Sequence, residues 1–206
     1  MLGKVLKSVM VAGVLLAPAG CGREEEAPRL SEASMARIAP GPLPAMRWDH
    51  RPEAAQWTRA ALGALQTHGA ALPQSLPADI ERFCPGYEHA SLDERRAFWA
   101  GLISALAKHE STWNPRAVGG RGRWFGLVQI SPRTARSYGC RARSGAALQE
   151  GGANVSCAVR IMARTVTRDG VVAKGGRGVA ADWAPMKVAG KRADIADWTR
   201  RQSYCQ

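Results

Sequence analysis

The sequence predicts one mostly α-helical domain over residues 48–206, preceded by a segment of different composition. Serine caps followed by residues with helical spacing recur in this region, for example at Ser91 and Ser131. The period-2 alternation of apolar and polar residues that is typical of strands is nearly absent. A region of this length is long enough to bury a core of its own.

Residues 1–20 are predicted to be an export signal. They have a basic start and an apolar run over residues 9–16, which is too short to span a bilayer. The segment ends at Ala19-Gly20-Cys21, which resembles a lipoprotein cleavage site, although Pro18 stands where Leu is usual. We therefore expect Cys21 to be acylated and to anchor the protein in a membrane. Ordinary signal cleavage after Ala19 is the alternative.

Residues 21–47 are predicted to be a flexible tether. The segment has few large apolar residues and is rich in Glu, Pro, Ala and Ser. Such a composition buries too little surface to offset the entropy lost on ordering the chain.

The five cysteines are an odd number for an exported chain. Acylation of Cys21 uses the odd one and leaves four for two bridges. Cys140 and Cys157 bracket a short segment, while Cys84 and Cys205 bracket most of the domain. We expect these two pairs among the three possible connectivities. No metal site is expected, because the chain has no Cys-x-x-Cys pair.

Caps and apolar periodicity predict the helices of the domain. Their expected limits are 52–68, a short turn through 80–83, 91 to about 114, 132–139, 154–168 and 193–201. Proline at the first position and glycine after the last support several of these limits. The glycine-rich segment 174–178, Lys-Gly-Gly-Arg-Gly, has nothing to bury and is expected to be a mobile loop.

The helix that starts at Ser91 carries an acidic residue in an unusual place. Ser91 and Glu94 fit a capping box, and the apolar face that passes through Leu106 reaches Glu110 four residues later. Burial and the negative end of the helix dipole both favour the protonated carboxyl and raise its pKa. An acid of this kind is what cleavage of a glycosidic bond requires. The alternative is that Glu110 simply turns into water at the helix end.

The residues after this helix carry a family resemblance. Glu110-Ser111 is followed at residues 126–135 by G-L-V-Q-I-S-P-R-T-A. The order and spacing resemble the lytic transglycosylase catalytic domain of the soluble-transglycosylase (SLT) type, which has a goose-lysozyme-like fold; Val128 replaces the usual Met. The resemblance implies a lysozyme-like helical domain in which Glu110 is the catalytic acid and base. It also implies that Ser111 orients the Glu110 carboxylate and that Gln129 binds an acetamido group or holds the groove.

The resemblance departs from the family at its third motif. Asp182, with Trp183 beside it, stands where a tyrosine that contacts the acid is expected. Asp182 would raise the pKa of the acid further or position a water, or it faces solvent. We take Asp182 and Trp183 as substrate-binding candidates. Trp124, in the Gly/Arg-rich loop 118–125, is a third: it either offers a stacking face to a saccharide or packs the loop against the domain.

The net charge limits the partners. With 29 basic and 17 acidic residues the chain carries +12, or +10 once Lys4 and Lys7 leave with the signal. A basic chain seeks nucleic acid, anionic lipid or an acidic polymer. Export argues against nucleic acid, whereas peptidoglycan carries peptide stems with free carboxylates. The alternative is that the charge only aids solubility. A monomer without cofactors is expected.

The function implied by the resemblance is cleavage of peptidoglycan glycan strands by a lytic transglycosylase, leaving a 1,6-anhydro-N-acetylmuramic acid end. The expected location is a membrane, held by the lipid on Cys21 and facing the periplasm, with the outer membrane favoured. Two alternatives remain open at this point. One is a lysozyme-like hydrolase acting on the same bond. The other is a lipoprotein that binds the wall without turnover, if Asp182 in place of the tyrosine has abolished catalysis.

Overall fold

A computed structural model of the chain describes residues 42–206, which form the mostly helical domain that the sequence predicted, together with one small hairpin that it did not predict. The α-helices of these residues are α1 (Ala54–Gln66), α2 (Ala71–Gln74), α3 (Leu92–Ser111), α4 (Pro132–Ser137), α5 (Gly145–Leu148), α6 (Gly151–Asp169) and α7 (Ala189–Arg200). The antiparallel hairpin pairs β1 (Val118–Gly119) with β2 (Trp124–Phe125). Short 3-10 helices lie at Ile80–Arg82, Lys174–Gly176, Gly178–Ala181, Ala184–Met186 and Ser203–Cys205. The predicted signal, Cys21 and the tether up to residue 41 lie outside the described residues.

Helix α3 is the centre of the domain. The capping box at its start forms as predicted: the Ser91 hydroxyl accepts from the Glu94 N–H, and the Glu94 carboxylate accepts from the Ser91 N–H. The sequence predicted one apolar face, but every residue from 97 to 107 is buried. The reason is that α1, α2 and α7 all pack around α3. Small residues permit this: a Cβ at Gly101 would lie 2.2 Å from the Tyr204 hydroxyl.

Buried aromatic residues fill the space beside α3, and their polar ends are paired. Tyr87, Phe98 and Trp99 meet edge to face, with ring centroids 5.3 and 4.9 Å apart along the series. The Trp99 indole N–H donates to the Tyr87 hydroxyl at 2.8 Å, and that hydroxyl donates to the Pro73 carbonyl at 3.3 Å. Burial therefore leaves no polar end of this trio unsatisfied.

The long helices lie close to their predicted limits, and α4 begins at the predicted Ser131 cap with Pro132 first inside. Two helices of four residues, α2 and α5, were not predicted, because a single turn carries no periodicity. The sequence also placed the start of α6 three residues late and that of α7 four residues late. Among the described residues, no helix combines the length and the apolar character needed to cross a membrane.

The two expected disulfides are both present, joining Cys84 to Cys205 and Cys140 to Cys157. The bridged residues are 121 and 17 positions apart. In the chain-entropy model, closing such loops contributes roughly 4–5 and 3 kcal/mol to the free energy of unfolding. The longer bridge ties the C-terminus to the segment that leads into α3.

Two segments differ from their predicted character. Residues 42–47, assigned to the tether, pack on the domain: Met46 is buried and the Ala45 carbonyl accepts from the Tyr204 hydroxyl. The domain therefore begins before residue 48. The segment 174–178, predicted to be a mobile loop, contains the turns Lys174–Gly176 and the start of Gly178–Ala181. It is held by the Asp79 carboxylate, which accepts from the N–H groups of residues 172–174.

Candidate active site

Glu110 lies in the last turn of α3, where the chain reverses abruptly. Thr112 and Trp113 follow in left-handed conformations, with φ of 51° and 57°. Their N–H groups donate back to the carbonyls of Lys108 and Ala107 at 3.2 and 3.3 Å, which pairs the free end of the helix. Left-handed backbone costs a non-glycine residue about 1–2 kcal/mol. The surrounding packing thus enforces a strained end that holds Glu110 at one place.

The Glu110 carboxyl faces a cavity of about 350 Å³. The cavity is lined by Glu110, Gly119, Gly120, Trp124, Gln129, Asp182, Trp183 and Ala184. Within residues 42–206, no side chain or backbone group forms a hydrogen bond with the Glu110 carboxyl. Burial raises its pKa from the ordinary 4.5 to about 7, against the opposing charge of Lys191. The group therefore holds a proton near neutral pH and can release it to a bound molecule.

Ser111 holds the neighbouring loop. Its hydroxyl donates to the Leu127 carbonyl at 2.8 Å, with a longer contact of 3.4 Å to the Ala107 carbonyl. The single hydroxyl proton is thus committed to Leu127. The family resemblance implied that Ser111 orients the Glu110 carboxylate; the structure instead joins it to the loop that carries Gln129.

Gln129 lines the same cavity as Glu110. Its own φ is 50°, a second strained position beside the cavity. The amide Nε2 donates to the carbonyls of Gly126 and Ala117 at 2.9 and 3.3 Å. Both donor hydrogens are thereby used to hold the groove. Oε1 lies over Gly119, where a Cβ would be only 2.2 Å away, and no group in the described chain donates to it. That oxygen is available to accept an N–H from a ligand.

Asn154, on α6, fixes the same loop from behind. The side chain is fully buried; its Oδ1 accepts from the Val128 N–H at 3.0 Å, and its Nδ2 donates to the carbonyls of Phe125 and Leu148 at 2.9 Å each. Gly126, at φ 81°, passes so close to this side chain that a Cβ there would lie 2.3 Å from Asn154 Nδ2 and 2.1 Å from the Leu148 carbonyl oxygen. In the sequence, Asn154 is marked only by its place near a predicted helix start.

The two tryptophans predicted to bind substrate have different surroundings. Trp183 is 3% exposed, and its indole N–H donates to the Val128 carbonyl at 2.8 Å. Trp183 therefore packs mainly within the domain, because its indole N–H is paired and most of its ring is buried. Trp124 is 44% exposed on the hairpin, with its ring against Gly120 and the Arg123 guanidinium 5.1 Å from its centroid. It therefore both packs its loop and presents aromatic surface to the cavity.

Asp182 lines the cavity of Glu110 and is also exposed to solvent. Tyr138, at the end of α4, donates its hydroxyl to the Asp182 carboxylate at 3.1 Å. Partial burial against the cavity wall raises the pKa of Asp182, which this hydrogen bond and nearby cations oppose. Both expectations for Asp182 are thus met in part. Its side chain is exposed to solvent at the rim, and the same residue also lines the cavity of Glu110. Tyr138 was not predicted.

A cluster of charges centred on Asp194 ties the last turn of α3 to α7. The Asp194 carboxylate accepts two hydrogen bonds from Arg47 at 2.7 and 3.0 Å, one from Lys108 at 3.2 Å and one from His109 Nε2 at 2.7 Å. Arg47 and the other partners hold the pKa of Asp194 well below its ordinary value. Because Lys108 and His109 directly precede Glu110, this cluster fixes the backbone that carries the acid.

The chain is similar to one protein family and to three solved structures of Bd0314 DslA. Residues 90–174 match the family model described as the transglycosylase SLT domain. Wild-type Bd0314 DslA is 28% identical with a TM-score of 0.72, covering 80% of this chain and 100% of that one. Two mutants of Bd0314 DslA, each with one Glu replaced by Gln, are 29% and 27% identical with TM-scores of 0.70 and 0.71. They cover 77% and 80% of this chain and 95% and 100% of their own. No curated protein sequence matches the chain.

Proposed function

We propose that the chain is a lytic transglycosylase that acts on peptidoglycan and cleaves it without water, because residues 90–174 match the transglycosylase SLT domain. The bond cut is the one between N-acetylmuramic acid and N-acetylglucosamine. The product is a strand that ends in 1,6-anhydro-N-acetylmuramic acid. The observation that supports this proposal most directly is the half-buried carboxyl of Glu110, which has no partner in the described chain and a pKa of about 7.

Glu110 acts first as an acid and then as a base. Its proton passes to the glycosidic oxygen as the bond from that oxygen to C1 breaks, and the acetamido group of the same sugar stabilises the charge at C1. The ionised Glu110 then takes the proton of the sugar's 6-hydroxyl, whose oxygen bonds to C1. Glu110 ends protonated, so the residue returns to its starting state without water or a second protein carboxylate.

The other cavity residues hold the sugars. Gln129 Oε1 is the acceptor placed to take the N–H of an acetamido group, since the amide nitrogen is already held by backbone carbonyls. The exposed part of the Trp124 ring offers an apolar face to a sugar ring. Ser111, Asn154 and Trp183 contribute indirectly, because each pairs with the backbone of the loop that carries Gln129.

The second candidate is a hydrolase, and the presence of Asp182 in the same cavity favours it. An inverting hydrolase uses a second carboxylate about 6.5–9.5 Å from the acid to activate water. Against this role, the Asp182 carboxylate is engaged by Tyr138 and lies at the exposed rim. We therefore propose that Asp182 helps to form the groove and does not act as a catalytic base. A wall-binding protein without turnover is the third candidate, and the same experiment separates all three.

The test is digestion of purified peptidoglycan, followed by chromatography and mass spectrometry of the released fragments. The parent is expected to give fragments lighter by one water than hydrolysis products, and Glu110→Gln none, while still pelleting with the wall. Asp182→Asn is expected to slow release modestly without changing the product. A reducing-end product that disappears in Asp182→Asn would make the enzyme a hydrolase with Asp182 as the base. If the parent binds the wall but releases no fragments, the protein is a wall-binding protein without catalytic activity.

Export and lipid anchoring complete the proposal, on the grounds of the signal-like residues 1–20 and the cysteine parity. With the four other cysteines paired in the domain, Cys21 is the one available for acylation. We expect Cys21→Ala to move the protein from the membrane fraction to the soluble periplasmic fraction with its activity intact. Unchanged membrane association of Cys21→Ala would refute the anchor.

A further inference from the structure

A second cavity, of about 540 Å³, collects positive charge beside the active-site cavity. We call it the basic cavity. It is lined by Asp79, Arg82, Phe83, Ala173, Lys174, Gly175, Gly176, Lys187 and Arg192. Its four cations come from three separate parts of the chain: Arg82 from the turn before α3, Lys174 from the segment after α6, and Lys187 and Arg192 from the stretch that leads into and begins α7. Folding therefore brings together like charges that repel one another.

The one carboxylate of the basic cavity forms no ion pair with these cations. Asp79 accepts from the backbone N–H groups of residues 172–174, so its lone pairs are used to hold the loop. None of the four cations forms a salt bridge within residues 42–206. Arg192 uses one nitrogen to cap the carbonyls of Met186 and Lys187, which fixes its guanidinium at the wall. The arrangement leaves an excess of three positive charges around an open volume, which suits a ligand with carboxylates.

The basic cavity is one short turn away from the catalytic one. Ala184 lines the cavity of Glu110 and Lys187 lines the basic cavity, and the N–H of Lys187 donates to the carbonyl of Ala184 at 2.9 Å. Lys187 also lies close enough to Asp182 for its charge to act on that carboxyl. A 3-10 turn of three residues covers about 6 Å. A ligand that leaves the catalytic cavity on this side thus meets Lys187 first.

We propose that the basic cavity binds the peptide stem of the strand being cleaved, through the free carboxylates of that stem. The inference rests on the proposed function, since it takes the glycan strand as the substrate. The stem is attached to the muramic acid at the scissile bond. An extended peptide covers about 3.3–3.6 Å per residue, so its second or third residue spans the turn between the two cavities. Covalent attachment to a bound sugar supplies a high effective concentration of carboxylate.

The test compares two double variants that remove the same charge from different cavities. Arg82→Gln with Lys174→Gln alters the basic cavity at two cations that do not line the cavity of Glu110 and form no side-chain hydrogen bond within residues 42–206. Arg141→Gln with Arg160→Gln is the control, because these cations line a separate cavity of about 590 Å³ beside the Cys140–Cys157 bridge. Each variant is assayed on strands that carry stems and on strands whose stems an amidase has removed.

In the basic-cavity variant, we expect the ratio of kcat/KM on stem-bearing strands to that on bare strands to fall about fivefold, chiefly through KM. The control variant should keep the parent ratio, and raised salt should shrink the difference. An unchanged ratio in the basic-cavity variant, or an equal fall in the control, overturns the proposal. If inorganic phosphate inhibits cleavage of stem-bearing and bare strands equally, and only when Arg82 and Lys174 are present, the basic cavity binds a phosphate ligand instead.

Binding provides a readout that does not need catalysis. Co-sedimentation of Glu110→Gln protein with both kinds of strand is measured with and without the Arg82 and Lys174 substitutions. Weaker binding of the substituted protein to stem-bearing strands alone supports the basic cavity, even if no cleavage by the parent is found. Cleavage by the parent together with equal binding to both strands refutes the basic cavity and leaves the proposed function standing.

Discussion

Replacement of Glu110 by Gln is expected to stabilise the protein, and to do so only above acidic pH. The folded pKa of about 7 exceeds the ordinary 4.5, so the folded state binds this proton more tightly than the unfolded state. The stability associated with the proton is fully present below pH 4.5 and is lost as pH rises towards 7. Glutamine has nearly the same shape and never ionises, so Glu110→Gln avoids this loss.

The size of the effect follows from the shift. One pKa unit corresponds to about 1.36 kcal/mol, which gives an upper bound of roughly 3.4 kcal/mol for a group of this burial. Allowing for its partial exposure, we expect Glu110→Gln to exceed the parent by about 2–3 kcal/mol in free energy of unfolding above pH 7. For a domain of this size the melting temperature should rise by roughly 5–10 °C. Below pH 4.5 the two proteins should unfold alike.

Thermal and urea unfolding, followed by circular dichroism between pH 4 and 8.5 with the disulfides intact, measures this difference. Asp197→Asn is the matched control, because it makes the same chemical change at an exposed carboxylate on α7. The control should show no gain that grows with pH. A difference between Glu110→Gln and the parent that is constant with pH, or a less stable variant at pH 8, would show that the carboxyl is not held protonated by burial.

Two further predictions concern residues that support the site. Asp194→Asn should lower the free energy of unfolding by about 2 kcal/mol at pH 7, against less than about 0.5 for Asp197→Asn, because Arg47, Lys108 and His109 lose their shared partner. Since the folded pKa of Asp194 is depressed, its contribution is fully present above the ordinary value near 4 and is lost progressively as pH falls towards the folded value. A difference in urea midpoint between the two proteins that does not shrink as pH falls below 4 would contradict this. Asn154→Ala should cost about 3 kcal/mol and slow peptidoglycan digestion, because it strands the buried Val128 N–H and Leu148 carbonyl. Asn154→Asp, which can still accept but not donate, should be intermediate in the same unfolding and digestion assays, and wild-type digestion by Asn154→Ala would refute its role.

The sequence alone determined the features that depend on neighbours along the chain. The Ser91–Glu94 box and the Ser131 cap join residues three positions apart, so their partners are visible in the letters themselves. Helix periodicity placed Glu110 on a buried stripe at the end of α3, and that position is what raises its pKa. Cysteine parity and bracketing gave the two disulfide pairs.

The tertiary structure alone decided which distant groups complete the site. Asn154 acts on Val128 across 26 residues, Tyr138 on Asp182 across 44 and Arg47 on Asp194 across 147. Caps and periodicity report only on contacts within about one helical turn, whereas these pairs exist because α6, α4 and α7 pack where they do. The same limit explains why Ser111 pairs with the Leu127 carbonyl and why Trp183 is covered: hydrogen-bond partners and exposure are set when whole helices meet, and single residue types do not specify them.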